Sequence, residues 1–280
     1  NDKPVYLQMA LDQAYHPDGL YTYPSDEAME KDIKLAKEAG FNLIRLHIKP
    51  DEPRFLYHAD RMGMLLWEEP ANFGDRGYGD RAKKRFQSDL KEMIDRDFNH
   101  PSVIIWGCFN ETWGLRSREG GKSALHGDEE KQAFVEQTYE LAKDFDDSRL
   151  VVDNSPCNED HVVTDLNDWH AYWEDYETWK EETYALVNRT YPGSQWNFVP
   201  GKHQGDEPMI NSEYGAVSAY MGDMDVSMPF RFTTNELRKY DKCAGYVYTE
   251  LQDIEWEKNG IYRYDRSRKE FGYDVSAINS

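Results

Sequence analysis

Residues 98–111 read FNHPSVIIWGCFNE. An Asn-His-Pro turn leads into an unbroken apolar run from Val103 to Phe109, which stops at two polar side chains, Asn110 and Glu111. A short apolar run bounded by a turn reads as a strand buried on both faces, the mark of a parallel sheet. The segment before it, 80–98, is long and charged on its outer positions, as an amphipathic helix is. Working outward, the same unit recurs: apolar runs stand at 6–11, 42–47, 65–69, 103–109, 150–154, 161–166, 209–213 and 245–251. Helical patterns fall between most of them, at 26–39, 53–62, 80–98, 129–145, 176–188 and 233–242. Ser25 is the expected N-cap of the first helix, and Gly40 and Gly63 are the expected stops of the first two. The fifth connection, 155–160, is too short for a full helix. Only residues 252–280 follow the eighth run, so the last helix should be short or lie within 265–272. Eight β-α units with a spacing of roughly 35 residues predict an α/β fold, a single (β/α)₈ barrel over residues 1–280. An open doubly wound sheet is the runner-up, but no Gly-rich phosphate loop follows the first run.

Bulk properties narrow the function. The formal net charge is −20, which argues against nucleic acid, since affinity there comes from neutralising phosphates with Lys and Arg. No apolar stretch approaches the roughly 20 residues of a membrane span, and the start, NDKPVYLQ, lacks a signal-peptide pattern. The chain does not begin with Met, so it reads as a processed protein or an excised domain, and its compartment and oligomeric state stay open. Three cysteines at wide spacing (Cys108, Cys157, Cys243) form neither a zinc signature nor a disulfide framework; Cys108 reads as a small core residue. The eight His residues show no HExxH or other ligand spacing, so no metal or other cofactor is expected.

In such a barrel catalytic groups sit where the strands end and the βα loops begin. That rule selects Asp12 after the first strand, Arg45 and His47 on the second, Asn110, Glu111 and Trp113 after the fourth, and His170 and Tyr172 after the sixth. Glu213 ends the seventh; Tyr248, Glu250 and Trp256 follow the eighth. Glu68 and Glu69, ending the third, suit a sugar hydroxyl or a salt bridge equally. Strands four and seven are not neighbours, so Glu111 and Glu213 should face each other across the barrel mouth. Two facing carboxylates are what acetal hydrolysis needs, one protonated to release the leaving oxygen and one ionised to attack the anomeric carbon. Trp113, Trp169, Trp173 and Trp256 fall in mouth loops, where aromatic faces suit sugar rings. Trp67 and Trp106 lie inside strands and read as core.

The segment from Phe98 to Glu111 resembles the acid/base signature of glycoside hydrolase family 2. Supporting pieces occur in order: Asn42-Leu-Ile-Arg45 with Pro50-Asp-Glu-Pro53-Arg54-Phe, then Asp60-Arg-Met-Gly63-Met-Leu-Leu-Trp67-Glu68-Glu69, then Ile210-Asn-Ser-Glu213-Tyr214-Gly215. The similarity spans about residues 4–265. It implies Glu111 as acid/base, Glu213 as nucleophile, and Asn110 as partner of the sugar 2-hydroxyl. It also implies Tyr172 donating to the nucleophile with His170 beside it, and Arg45 beneath the nucleophile, favouring its ionised form. A carboxyl separation of roughly 5–5.5 Å is expected for retention, against about 6.5–9.5 Å for inversion. The jelly-roll and immunoglobulin-like domains that accompany the family's barrels have no counterpart in this sequence.

Departures concern the sugar. The family's β-galactosidases follow the acid/base with Gly-His-Gly and carry Ser-His in strand two; here Thr112-Trp-Gly and His47-Ile48 stand instead, and Pro70-Ala-Asn-Phe-Gly74 lacks their Glu-Thr-His. The Asn-x-Lys pair with which β-glucuronidases hold the sugar carboxylate is replaced by Glu257-Lys258-Asn259 before Gly260-Ile261. The expectation is a retaining exo-β-glycosidase of β-galactosidase-like specificity, acting on a glycoside or oligosaccharide. The alternatives are a β-glucuronidase-like enzyme and an isolated barrel that binds sugar with little turnover. Metal-assisted chemistry on the acidic mouth is a third reading.

Overall fold

A computed structural model describes residues 3–74, 78–115, 125–156, 159–173, 175–215 and 224–280. Cys157 falls outside them. Eight parallel strands form one sheet in the order β5-β4-β3-β2-β1-β8-β7-β6. They are β1 (Leu7–Asp12), β2 (Leu43–Leu46), β3 (Leu65–Glu68), β4 (Val103–Asn110), β5 (Leu150–Ser155), β6 (Asn167–His170), β7 (Met209–Tyr214) and β8 (Cys243–Tyr248). The helices are α1 (Asp26–Glu38), α2 (Pro53–Met62), α3 (Asp80–Asp97), α4 (Glu129–Phe145), α5 (Tyr176–Arg189), α6 (Ser227–Leu237) and α7 (Val275–Asn279). Between β5 and β6 the barrel closes through single bonds, Asp165 N to Val151 O (3.0 Å) and His170 N to Pro156 O (3.2 Å), rather than a ladder. The (β/α)₈ architecture expected from the sequence is the one observed.

Side-chain alternation divides each strand between two cores. Met9, Leu11, Leu43, Trp67, Ile105, Val152, Leu166, Ile210 and Val247 point inward and fill the barrel. Their neighbours Ala10, Ile44, Leu66, Trp106, Val151, Met209 and Tyr246 point outward, into the larger core under the helices. Gly107 occupies an inward position where a Cβ would lie 2.7 Å from Trp67 Nε1 and 2.8 Å from Glu69 Cγ, so only glycine lets these two side chains cross the barrel. Ser25 caps α1 through Ala28 N (3.3 Å), and Gly63 ends α2 at φ +68°, a left-handed conformation that glycine adopts without cost.

Two elements differ from expectation. The sixth strand lies at Asn167–His170, not at 161–166. The apolar stretch at 161–166 is a turn instead, because the Asp153 carboxylate takes the Val162 and Val163 N–H groups (2.7 and 3.0 Å) and Asn197 O takes that of His161 (2.9 Å). The true strand is polar because its inward side chains face the mouth, which an apolar-run criterion cannot detect. The sixth helix spans Ser227–Leu237 rather than 233–242: Pro229 fits its first turn, where no N–H is needed. The last helix, Val275–Asn279, is short, the first of the two expected alternatives, and is capped by Asp274 on Ser276 N (2.9 Å).

Candidate active site

Arg45 stands at the centre of the mouth, fully buried, directly above the apolar barrel filling and over the Trp67 ring at 4.7 Å. Its guanidinium spends its donors in four directions. Nε donates to Glu69 Oε1 (2.8 Å), Nη1 to Ser212 O (2.9 Å) and Glu213 Oε1 (3.3 Å), and Nη2 to Asn110 Oδ1 (2.7 Å). Burial works against the charge, but Glu69 and Glu213 outweigh it, and the net shift of the Arg45 pKa is upward. Arg45 in turn holds Glu69 down at about 2 against its own burial, with help from His47. Because Arg45 claims Asn110 Oδ1, the Asn110 amide must present its Nδ2 donors to the mouth.

Glu213 reaches this cluster through a register shift in β7 between Asn211 and Tyr214. With Ile210 inward, strict alternation would send Glu213 outward; the irregularity turns it into the barrel. Its other oxygen accepts from the Tyr172 hydroxyl (2.7 Å), which also reaches Thr249 Oγ1 (3.2 Å). Enclosure of that hydroxyl, reinforced by the Glu213 charge, raises the Tyr172 pKa well above normal, so it stays a donor.

Glu111 leaves β4 in the left-handed region, φ +48°, followed by Thr112 at +55°. A non-glycine residue there costs on the order of 1 kcal/mol and persists where surrounding bonds enforce it. Here Glu111 N donates to Ser155 O (2.9 Å) and Thr112 N to Asn154 Oδ1 (2.9 Å). The turn brings Glu111 Oε1 to 2.9 Å from His170 Nδ1, which is 3.4 Å from Glu213 Oε2. One donor atom each of Glu111, His170 and Glu213 lie within 4.8 Å of one another. The same three groups would suffice to grip a divalent cation.

His170 is held from behind. Its Nε2 is 3.0 Å from Ser155 Oγ, which also bonds Asp168 Oδ2 and reaches Ser212 Oγ (3.1 Å). Burial disfavours the imidazolium, but the charges of Glu213 and Glu111 raise the His170 pKa overall. Behind Asp168 lies the fully buried His161, with Nδ1 2.7 Å from Asp153 Oδ1 and Nε2 3.1 Å from Asp168 O. Burial lowers its pKa, yet Asp153 and Asp168 raise it to about 9. The folded value exceeds the unfolded value of about 6.5, so this ion pair stabilises fully below pH ~6.5 and is lost as pH rises through about 9. Over that window about 3 kcal/mol disappears, a Tm decline on the order of 5–10 °C. Thermal melts from pH 6 to 10 check this, and His161→Gln should flatten the slope; equal slopes in both proteins would refute it.

The structure gathers Arg45, Asn110, Glu111, His170, Tyr172 and Glu213 into one network, with His47 Nδ1 at its edge, 3.9 Å from Glu213 Oε1. Trp113 and Trp256 stand exposed in the mouth loops. Asp12 is buried and accepts from Ala14 N (2.7 Å) and Gln252 Nε2 (3.5 Å), outside the Arg45 network. Tyr248 does not face the mouth: it packs on Phe230 at 4.9 Å and donates to Asn259 O (2.8 Å), because alternation along β8 sends Val247 inward and Tyr248 out. Trp169 and Trp173 likewise turn to the core, against Trp196 and Trp179. Of the two roles expected for Glu69, the salt bridge is the one found, with Arg45 as its partner; three groups escaped sequence reasoning: Thr249 beside Tyr172, Ser155 behind His170, and Gln13. Gln13 Nε2 bridges Glu250 Oε2 (3.1 Å) and Glu257 Oε2 (2.9 Å).

Residues 22–230 match the family described as "Glycosyl hydrolases family 2, TIM barrel domain". A β-glucuronidase of Bacteroides fragilis is 27% identical over 206 residues, covering 70% of this chain and 26% of that protein. A β-galactosidase of Lactococcus lactis is 27% identical over 275 residues, covering 94% of this chain and 24% of its own length. The chain thus spans about a quarter of these relatives. Among solved structures, a β-galacturonidase of Eisenbergiella tayi bound to galacturonate superposes with a TM-score of 0.78 at 19% identity, over 98% of this chain and 51% of that one. At that identity the likeness speaks for the fold.

Proposed function

The chain belongs to glycoside hydrolase family 2, and on that premise we propose that it hydrolyses terminal β-linked sugars with retention of configuration, through a covalent glycosyl-enzyme. The observation that carries this reading is the facing pair: one oxygen of Glu111 and one of Glu213 lie within 4.8 Å, in keeping with the roughly 5–5.5 Å of a retaining pair and short of the about 6.5–9.5 Å that inversion uses. Glu213, fixed by Arg45 and Tyr172 on separate oxygens, attacks the anomeric carbon. Glu111 protonates the departing oxygen and then takes a proton from the water that releases the sugar. Asn110 Nδ2, aimed outward by Arg45, donates to the 2-hydroxyl, a bond that strengthens as charge develops at the anomeric carbon. Exo action and a β-galactosidase-like specificity remain the leading reading, with a β-glucuronidase-like one beside it, since relatives carry both names.

The test is the anomer first released from an aryl β-glycoside, followed by proton NMR before mutarotation. The β-anomer is expected; the α-anomer would refute retention. The cluster of Glu111, His170 and Glu213 also allows a metal-assisted reading, which predicts activity lost to a chelator and restored by a divalent cation.

A further inference from the structure

In the barrel β4 stands across from β8, with β7 and β1 flanking β8. If a pyranose places C1 at Glu213 and its 2-hydroxyl at Asn110 on β4, the opposite edge of the ring faces β8 and β1. C5 lies across the ring from C2, so the C5 substituent meets the side chains that follow those two strands. A cavity of about 530 Å³ opens there, lined by Gln13, Tyr15, Trp256, Glu257, Lys258 and Tyr264 among others. Glu257 is close enough to His47 and Glu213 for their charges to act on it, which sets this wall of the cavity beside the catalytic centre.

The chemistry of this wall is acidic and fixed. Gln13 ties Glu257 to Glu250, and Glu250 is 1% exposed with a buried Oε1 that has no hydrogen-bond partner. Burial and the neighbouring Glu257 raise the Glu250 pKa well above the usual carboxyl range. The lone ammonium of the lining, Lys258, acts on Asp253, while Glu255 adds a further carboxylate. We infer that the glycone is uncharged at C5, bearing hydroxymethyl or hydrogen, and that Glu257, anchored by Gln13 on Glu250, is the residue that rejects a uronic acid. The inference rests on the glycosidase reading for the placement of the ring. Two like charges about 6 Å apart, at an effective dielectric of about 20, weaken association by roughly a hundredfold.

Binding is measured by calorimetry with phenyl 1-thio-β-D-galactoside against its galacturonide, and the gluco pair likewise, since thioglycosides resist hydrolysis. The neutral member of at least one pair should bind on the order of 100-fold more tightly than its uronide. Glu257→Gln, with its Tm and circular dichroism matching the parent, should narrow that gap at least tenfold. A uronide that binds as well as its neutral partner overturns the inference, as does an unchanged gap in the variant, or no binding by any member. The expected preference without turnover of the matching aryl O-glycosides would leave the inference standing and remove the glycosidase reading instead.

Discussion

Glu213→Ala should lower kcat/KM on aryl β-glycosides by more than about a thousandfold, because it removes the carboxylate that Arg45 and Tyr172 hold by separate oxygens for attack. The side chain it leaves vacant is replaceable by a small anion. Added azide should restore turnover and yield a glycosyl azide of the opposite anomeric configuration, a product that a metal-bound hydroxide could not give. Arg45 keeps Glu69, Ser212 O and Asn110 in this variant, so the fold should survive; Glu213→Gln, closer in shape, guards against a purely structural loss. Glu111→Ala should behave differently. A dinitrophenolate leaves without help, so the first step on that substrate should be nearly normal and the glycosyl-enzyme should accumulate, with a burst and a lowered KM. Alkyl glycosides, which need the proton, should lose on the order of 10²–10⁴. Stopped-flow kinetics on both leaving groups separate these outcomes, and full activity in both variants would end the glycosidase reading.

What could be read from residues alone depended on how each signal is encoded. The barrel was legible because seven of its strands are apolar runs, and Glu111 and Glu213 because each directly follows one. The sixth strand was not, since Asp168 and His170 are polar because they point inward toward the mouth, and Asn167 because it bonds Gln204 and Asn197 on the other face. Tyr248 was misread at the opposite level: it lies at a strand end, but side-chain parity, visible only with the register of β7 and β8, sends it to the helix side. Parity would also have turned Glu213 away, had the register shift before Tyr214 not re-aimed it. The supporting cast was hidden because hydrogen-bond geometry leaves no periodicity in a sequence. Ser155 ends β5, and nothing in its neighbours announces that it props His170; the strand-end position of Glu69 pointed to a salt bridge but not to Arg45 as its partner.

Arg45→Met should cost the protein about 3–5 kcal/mol, the largest stability loss expected of any single side chain in the mouth, and abolish turnover with it. The substitution nearly conserves volume over Trp67, so packing is not the cause. The cause is Glu69, 2% exposed, whose carboxyl lies at about 2 chiefly because Arg45, helped by His47, offsets its burial. A depressed carboxyl of this kind adds stability that is fully present above its unfolded value of about 4.3 and lost as pH falls toward 2. Without the guanidinium, burial dominates and Glu69 binds a proton, so the deficit against the parent should be widest near pH 7 and shrink toward pH 4–5. Urea melts across that range read it directly. Glu69→Gln in the Arg45→Met background should recover part of the loss, because the second change removes the stranded charge. Arg45→Lys should recover stability poorly and activity hardly at all: one ammonium cannot reach Glu69, Ser212 O, Glu213 and Asn110 at once, as the planar fork does. A deficit that stayed constant with pH would place the cost in packing and refute the electrostatic account.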